Sequence, residues 1–148
     1  MPESPPDFDV TEDPPPNDLL AALRLNLVPG IGPRLTQLLM DRFGSADAIL
    51  SASLNDLQHV PGIGPKLAMS VATHGTTAEA MEEWKRCQTA GIKLFLRGGG
   101  HYSPALDRIP DPPHLLYCRG DLRPSDELAV AIVGSRHCTA YGRQQAER

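Results

Sequence analysis

Eight consecutive residues, 28–35, recur almost unchanged as residues 60–67, an offset of 32 positions. Both copies hold Pro-Gly-Ile-Gly-Pro between a valine and a leucine, and they differ only in having Arg34 in the first copy and Lys66 in the second. A unit repeated at this spacing indicates two copies of one supersecondary element that pack on each other. The repeat therefore predicts a compact pair of helix–turn–helix units in the first half of the chain.

The glycines and prolines of the repeat suit a tight turn that leads into a helix. Glycine allows backbone angles that other residues resist, and Pro33 and Pro65 fit the first position of a helix, where no N–H group is needed. A helix start attracts anions, and Arg34 and Lys66 add positive charge there. We therefore predict an auxiliary contact with nucleic-acid phosphates through these two side chains and through the N–H groups of Gly30, Ile31, Gly32, Gly62, Ile63 and Gly64. The alternative is that the glycines only build tight corners between helices.

Acidic residues are concentrated at one end of the chain. The 148 residues include 14 basic and 18 acidic side chains, for a net charge of −4. Residues 1–18 hold six of the acids, six prolines and no base, which is typical of a disordered tail and not of a signal or transit peptide. The remainder carries a net charge of +2. Any DNA contact must therefore depend on a few placed bases and N–H groups rather than on bulk charge.

No metal, cofactor or membrane site is indicated by the sequence. Cys87, Cys118 and Cys138 are odd in number and widely spaced, so neither a zinc site nor a disulfide framework is expected. A reducing cytoplasm is the simple interpretation. The five histidines are scattered, and no run approaches the roughly 20 apolar residues that span a bilayer.

Apolar residues recur at helical spacing up to about residue 91. A first helix is expected to begin at Asp18 as its N-cap, and others are expected at residues 33–43, 54–59 and 65–73. Gly44 fits the end of the second helix, and Ser45 can cap a short connector after it. Thr76 or Thr77 can cap a longer helix that runs to about residue 90.

The pattern changes after residue 91. Residues 92–96 and 115–118 predict short strands, with an irregular proline-rich segment at residues 104–113 between them. The continuous apolar run at residues 128–133, closed by Gly134, predicts a buried parallel strand. A strand, a glycine turn and the first turns of a helix form the opening of a βαβ unit, so we expect the start of a parallel sheet.

Gly134, Ser135 and Arg136 form the second candidate site. Ligands of open α/β sheets bind at the carboxyl ends of the strands, and the planar guanidinium of arginine can bond two phosphate oxygens at once. These three residues are therefore predicted to bind a DNA phosphate. The alternative is an ordinary strand–helix junction with an exposed arginine. No Gly-x-Gly-x-x-Gly or Walker-type lysine accompanies the loop, so dinucleotide or triphosphate binding is poorly supported.

The order and spacing of several segments resemble the DNA-processing protein A (DprA/Smf) family, from about residue 18 to residue 148. The matching residues are Tyr102, Leu106, Ile109-Pro110-Asp111-Pro112-Pro113, Leu116-Tyr117, Gly120-Asp121-Leu122, residues 130–136, Thr139, Tyr141 and Gly142. Both copies of the repeat also resemble the helix-hairpin-helix motif of DNA repair and recombination proteins. One departure is Ser103, which separates Tyr102 from Pro104 where the family commonly has proline directly after the tyrosine.

The resemblance implies a protein that binds and protects incoming single-stranded DNA during natural transformation and loads the RecA recombinase on it, without enzymatic turnover. It implies a homodimer, and it places Gly134, Ser135 and Arg136 in the DNA-binding pocket. Thr139, Tyr141 and Gly142 match the motif and can shape the loop and the helix start. The family's further basic residues, dimer surface and recombinase-contact surface are expected beyond Arg148.

The predicted fold class is α/β: an N-terminal all-α tandem helix-hairpin-helix (SAM-like) domain followed by the truncated start of a Rossmann-like parallel sheet. The predicted divisions are an acidic tail at residues 1–17, the tandem at 18–75, a connecting helix at 76–91 and the Rossmann-like part at 92–148. Two other functions stay open. One is a Rossmann-like enzyme acting on a nucleotide phosphate, and the other is a repair subunit that holds duplex DNA with its hairpins.

Overall fold

The computed structural model describes residues 14–122 and 138–147 of the chain. The predicted order of a helical region followed by short strands is confirmed. Within the described residues the elements are α1 (Asn17–Asn26), α2 (Pro33–Phe43), α3 (Ala46–Ser51), α4 (Leu54–Gln58), α5 (Pro65–Thr73), α6 (Thr77–Ala90), β1 (Ile92–Leu96), α7 (Pro104–Asp107), β2 (Leu115–Arg119) and α8 (Ala140–Ala146). None of the described helices is long and apolar enough to cross a membrane.

Local sequence signals account for most helix boundaries. Ser45 accepts a hydrogen bond from the Ala48 N–H group at the start of α3. Thr76 and Glu79 form a capping box at the start of α6, in which each side chain satisfies an N–H group that the helix leaves unpaired. Gly44 ends α2 in the left-handed conformation, with φ of 82°. These predicted caps are confirmed.

Two boundaries differ from the predictions. Helix α1 begins at Asn17 with Pro16 as its N-cap, so Asp18 lies in the first turn and is not the cap. An acidic side chain there still interacts favourably with the helix dipole. The proline-rich segment is also not wholly irregular, because it begins with the short helix α7, in which Pro104 occupies the first turn. Proline is well tolerated there because its missing N–H group would be unpaired in any case.

The buried apolar residues form two clusters that share helix α1. We call them the tandem core and the sheet core. The tandem core consists of Ala21, Leu25, Val28, Leu39, Ala46, Ile49, Leu57, Val60, Ile63, Ala68 and Val71. The sheet core consists of Leu19, Ala22, Leu23, Ala80, Trp84, Cys87, Leu94, Leu96 and Leu115. Because opposite faces of α1 are buried in the two clusters, this helix joins the hairpin repeat to α6 and the strands.

The two described strands form an antiparallel sheet, with Ile92 paired to Arg119 and Leu96 paired to Leu115. Their side chains alternate between faces, and Leu94, Leu96 and Leu115 pack in the sheet core. Both predicted strands are confirmed, but they pair antiparallel, whereas the sequence analysis assigned residues 92–148 to the start of a parallel sheet. The predicted parallel strand at residues 128–133 lies outside the described residues.

Polar contacts also tie the strands to the hairpin repeat. Arg97, which directly follows β1, donates hydrogen bonds from Nε to Asp107 (2.6 Å) and from a terminal nitrogen to Gln37 on α2. Arg24 on α1 donates from Nε to the carbonyl oxygen of Gly75 (2.9 Å), between α5 and α6. The Arg97 bonds thus link the end of β1 to α2 and α7, and the Arg24 bond links α1 to the segment between α5 and α6.

Candidate nucleic-acid interface

The two repeated segments form turns of the same type. The N–H group of Ile31 donates to the carbonyl oxygen of Val28 (3.2 Å), and that of Ile63 donates to Val60 (3.0 Å). The third residue of each turn is glycine with a positive φ, 88° at Gly30 and 89° at Gly62. Proline in second place followed by a glycine with positive φ is the signature of a type II β-turn. The repeated Val-Pro-Gly-Ile therefore sets the turn conformation.

The two turns pack against each other through equivalent residues. A Cβ atom added to Gly30 would lie 3.2 Å from Cδ1 of Leu67, and one added to Gly62 would lie 3.1 Å from Cδ2 of Leu35. Leu35 and Leu67 occupy the same position in the two copies of the repeat. The contact is thus reciprocal, with approximate two-fold symmetry, and it places the N-termini of α2 and α5 side by side.

The second glycine of each copy has a different role. Gly32 and Gly64 are the N-caps of α2 and α5, and their backbone is extended, with φ of −106° and −85°. A Cβ atom at either position would meet no atom within 4 Å. Neither backbone strain nor packing among the described residues requires glycine there. Because glycine has no side chain, it leaves the N–H groups at the helix start accessible to a ligand.

Four of the described helices, α3, α4, α6 and α8, are capped differently, whereas α1 and α7 also lack a side-chain cap. Ser45, Ser53, Thr76 and Thr139 each accept a hydrogen bond from an N–H group in the first turn of their helix. The glycine caps of α2 and α5 have no side chain that could do so. The first intrahelical bonds are donated by Thr36 to Gly32 and by Ala68 to Gly64, each at 2.9 Å. The N–H groups that precede these two in each first turn have no acceptor within the helix.

This geometry revises which N–H groups can bind an anion. Ile31 and Ile63 were predicted to contribute theirs, but both groups are used inside the turns. The N–H groups that can bind an anion are instead those of the second and third helical residues. These are Arg34 and Leu35 in one copy and Lys66 and Leu67 in the other. Among the described residues, these four groups and those of Gly32 and Gly64 have no hydrogen-bond acceptor. The sequence signal for them is glycine, rather than serine or threonine, before the helix-starting proline.

The two predicted basic side chains lie in the first turns of α2 and α5. Arg34 and Lys66 are the second residues of α2 and α5, and both are exposed. Neither forms an ion pair within the part of the chain that the structure describes. Their positive charges are therefore available to a ligand at the adjacent helix start.

The surroundings of the two hairpins differ. A small crevice beside the first hairpin is lined by Gly32, Thr36 and Asn26 on one side and by Pro113 and His114 on the other. Burial lowers the pKa of His114, and the nearby positive charge of Arg97 lowers it further. The imidazole is therefore neutral at pH 7, so it adds a polar group but no positive charge beside the first hairpin. No sequence signal predicted this contact, because the residues on its two sides are far apart in the chain.

The second candidate site, Gly134, Ser135 and Arg136, lies outside the described residues. Next to it, Thr139 caps α8 by accepting a hydrogen bond from the Gly142 N–H group (3.1 Å), and Tyr141 is 71% exposed. Tyr102 is buried, and its hydroxyl donates to the carbonyl oxygen of Pro113 (2.7 Å). Tyr102 and Thr139, which both belong to the family pattern, thus stabilise the local backbone. The binding roles of Gly134, Ser135 and Arg136 stay predictions.

The two glycines of the second hairpin offer a matched test of their separate roles. Gly62→Ala is expected to lower the free energy of unfolding by about 1–2 kcal/mol, because it forces an L-residue into the left-handed region. Gly64→Ala is expected to cost less than about 1 kcal/mol, since only the preference for glycine over alanine at an N-cap is lost. Urea denaturation monitored by circular dichroism measures both values. Equal losses for the two variants would contradict this division of roles.

Comparison with known proteins agrees with both parts of the described structure. Residues 22–81 match the family model described as a SAM-like helix-hairpin-helix tandem. Residues 93–148 match the model of DNA recombination-mediator protein A. No curated protein and no solved structure matches the chain. The first part of the chain is therefore similar to helix-hairpin-helix tandems, and the part that follows it is similar to DNA recombination-mediator protein A.

Proposed function

We propose that this protein binds DNA through the paired N-termini of α2 and α5 and acts as a recombination mediator. The observation that carries the proposal is the glycine capping of these two helices. It leaves first-turn N–H groups unpaired beside Arg34 and Lys66, whereas Ser45 and Thr76 cap α3 and α6. Helices α1 and α7 also lack a side-chain cap, but their first turns carry an acidic residue. A phosphate oxygen is a suitable acceptor for the unpaired N–H groups of α2 and α5.

The chemistry of this surface suits the DNA backbone rather than the bases. N–H groups and exposed basic side chains bond phosphate oxygens, which position a protein on DNA without reading its sequence. The chain outside residues 1–18 carries a net charge of only +2. Affinity is therefore expected to depend on a few phosphate contacts and to fall only moderately as salt increases.

Single-stranded DNA is the proposed physiological ligand, with Gly134, Ser135 and Arg136 forming the main contact and the hairpins an auxiliary one. This part of the proposal depends on the family and on the sequence of the loop. In the same role the protein protects incoming DNA during natural transformation and loads the RecA recombinase, as a cytoplasmic homodimer without enzymatic turnover. RecA contact and dimerisation are proposed from the family resemblance.

The hairpin contact is tested by the double substitution Arg34→Ala with Lys66→Ala. If each side chain neutralises one phosphate, the slope of log K against log salt becomes shallower by about 1.4 for single-stranded DNA and about 1.8 for duplex DNA. Fluorescence anisotropy of labelled oligonucleotides across a salt series measures both slopes.

The matched control removes two other exposed charges, by Lys85→Ala with Arg119→Ala. It changes the net charge equally but lies on α6 and β2. We expect a smaller change of slope in this control. If both double variants change the slope equally, the effect is one of bulk charge and the hairpins are not the contact.

Arg136 is expected to contribute more to single-strand affinity than either hairpin side chain. Arg136→Ala should weaken binding by about 1–3 kcal/mol, the cost of losing a charge-assisted hydrogen bond. Anisotropy titration with a single-stranded oligonucleotide at moderate salt measures the change. Unchanged affinity would remove the loop from the proposed DNA contact.

A second candidate function, holding duplex DNA, is favoured by the two-fold arrangement of the hairpins. The reciprocal contacts of Gly30 with Leu67 and of Gly62 with Leu35 relate the two helix starts by approximate two-fold symmetry. The strands of a duplex are also related by two-fold axes, and protein symmetry commonly mirrors that of the DNA. This function predicts that the hairpin double variant loses more affinity for duplex than for single-stranded DNA.

A further inference from the structure

A cavity of about 280 Å³ lies between the tandem core and the sheet core. It is bounded by α1, by the corner between α2 and α3, and by the end of β1. Its apolar lining comes from both cores and consists of Ala21, Met40, Ala46 and Leu96. Ligand sites commonly lie between packed units and measure about 300–1,000 Å³. This cavity, which we call the junction cavity, therefore has room for a small ligand.

The polar lining of the junction cavity carries unpaired negative charge. Asp18 lines it from α1 and Asp47 from α3, and both residues are exposed. Within the described residues, neither carboxylate has a hydrogen-bond or ion-pair partner. Arg97 also lines the cavity, but its guanidinium is bonded to the carboxylate of Asp107 at 2.6 Å. The described lining thus holds two unpaired negative charges, whereas its positive charge is paired.

The helix dipole explains each of these acids separately but not their convergence on one cavity. Asp18 and Asp47 lie in the first turns of α1 and α3, where negative charge is favourable. His114, which lines the cavity as well, is neutral because burial and the charge of Arg97 lower its pKa. It adds a hydrogen-bonding group without charge. Since the two carboxylates repel an anion, the junction cavity suits a different ligand from the phosphates proposed for the hairpins.

We propose that the junction cavity binds an organic cation that carries a guanidinium or ammonium group at the end of an unbranched hydrocarbon stem. Carboxylates form charge-assisted hydrogen bonds with such groups. The stem packs against the apolar lining while its charged end stays near water. Free polyamines and the lysine and arginine side chains of a partner protein share this chemistry. The inference is independent of the proposed DNA contact, because neither Arg34 nor Lys66 lines the cavity.

Methionine NMR reads the occupancy of the junction cavity directly. The chain has four methionines, of which Met40 lines the cavity, whereas Met69 and Met81 do not. In the full chain with methyl-labelled methionine, agmatine is expected to shift the Met40 signal and to leave those of Met69 and Met81 unchanged. Tetramethylene glycol, which has the same four-carbon stem without charge, should shift none of them. An equal shift of Met40 with this glycol would overturn the assignment to a cation.

The variant Asp18→Asn with Asp47→Asn removes both charges and keeps the size of the side chains. We expect it to raise the agmatine concentration at half-saturation about three- to tenfold, because two exposed ion pairs are lost. The affinity of the parent should also fall as salt increases. The matched control, Glu82→Gln with Glu147→Gln, changes the net charge equally at exposed positions outside the cavity and should bind like the parent. Equal losses in both variants would assign the effect to bulk charge and overturn the inference.

A parallel titration with N-acetyl-arginine amide distinguishes the two sources of the cation. This compound presents the guanidinium on a blocked backbone, as a protein does. Tighter binding than that of agmatine supports a side chain of a partner protein as the ligand, and weaker binding supports a free amine. If neither compound shifts the Met40 signal, the junction cavity is not a cation site.

Discussion

Gly75→Ala is expected to lower the free energy of unfolding by about 3–5 kcal/mol. A loss of this size is exceptional for a single substitution and requires a specific cause, here a steric clash with the backbone. Gly75 is buried between α5 and α6 with a φ of 63°. A Cβ atom at this position would lie 1.9 Å from the carbonyl oxygen of Arg24. That oxygen belongs to the backbone of α1, so it cannot move aside without shifting the helix that both cores share. Urea denaturation followed by circular dichroism measures the loss.

Gly91→Ala is the matched control for this substitution. Gly91 ends α6 with a φ of 62°, almost the same backbone conformation, but no atom lies within 4 Å of its Cβ position. Its replacement should therefore cost only the left-handed penalty, about 1–2 kcal/mol. The difference between the two variants isolates the close approach of Gly75 to α1. Similar losses would mean that the backbone angle, and not the packing, makes glycine necessary at position 75.

Trp84→Ala is expected to be comparably destabilising, by about 3–5 kcal/mol. Trp84 lies on α6 with its side chain fully buried in the sheet core. Because α1 belongs to both cores, the hairpin repeat and the strands are expected to unfold in one transition. The measurement is urea denaturation, with circular dichroism for the helices and hydrogen exchange for the amides of α2 and α5.

Trp84→Phe serves as the conservative control for this prediction. Among the described residues, the indole Nε1 of Trp84 has no hydrogen-bond acceptor, and a buried unpaired donor costs about 1–3 kcal/mol. Phenylalanine removes that donor and keeps most of the apolar volume, so this variant should lose far less stability than Trp84→Ala. If Trp84→Ala left the exchange of the α2 and α5 amides unchanged, the two cores would unfold independently.

The sequence predicted local structure well wherever a boundary depends on neighbouring residues. The bounds of α2 and α5 follow from proline at the first helical position, and Thr76 with Glu79 marks the start of α6. The prediction of Asp18 as the N-cap of α1 was wrong, because Pro16 already has a suitable backbone conformation for the N-cap. The sequence also missed α7, since a proline-rich segment of this length does not distinguish a single helical turn from a loop.

Only part of the candidate site could be predicted from the sequence. The repeat located Arg34 and Lys66 and correctly required glycine at positions 30 and 62, where φ is positive. The repeat did not distinguish these glycines from Gly32 and Gly64. The backbone at Gly32 and Gly64 is extended, and a Cβ atom there would meet no atom within 4 Å. That distinction depends on which carbonyl each N–H group reaches, and this is known only once the turn geometry is known.

Taken alone, the sequence determined the repeat, its turns, the helix starts and the separation of the acidic segment from the rest of the chain. These features depend on short-range sterics and on hydrogen bonds between near neighbours. The tertiary structure decided that the hairpins pack reciprocally through Leu35 and Leu67, that α1 joins two cores, and that Arg97 ties β1 to α2. Such contacts join residues far apart in the chain, and only packing of the whole molecule selects their partners.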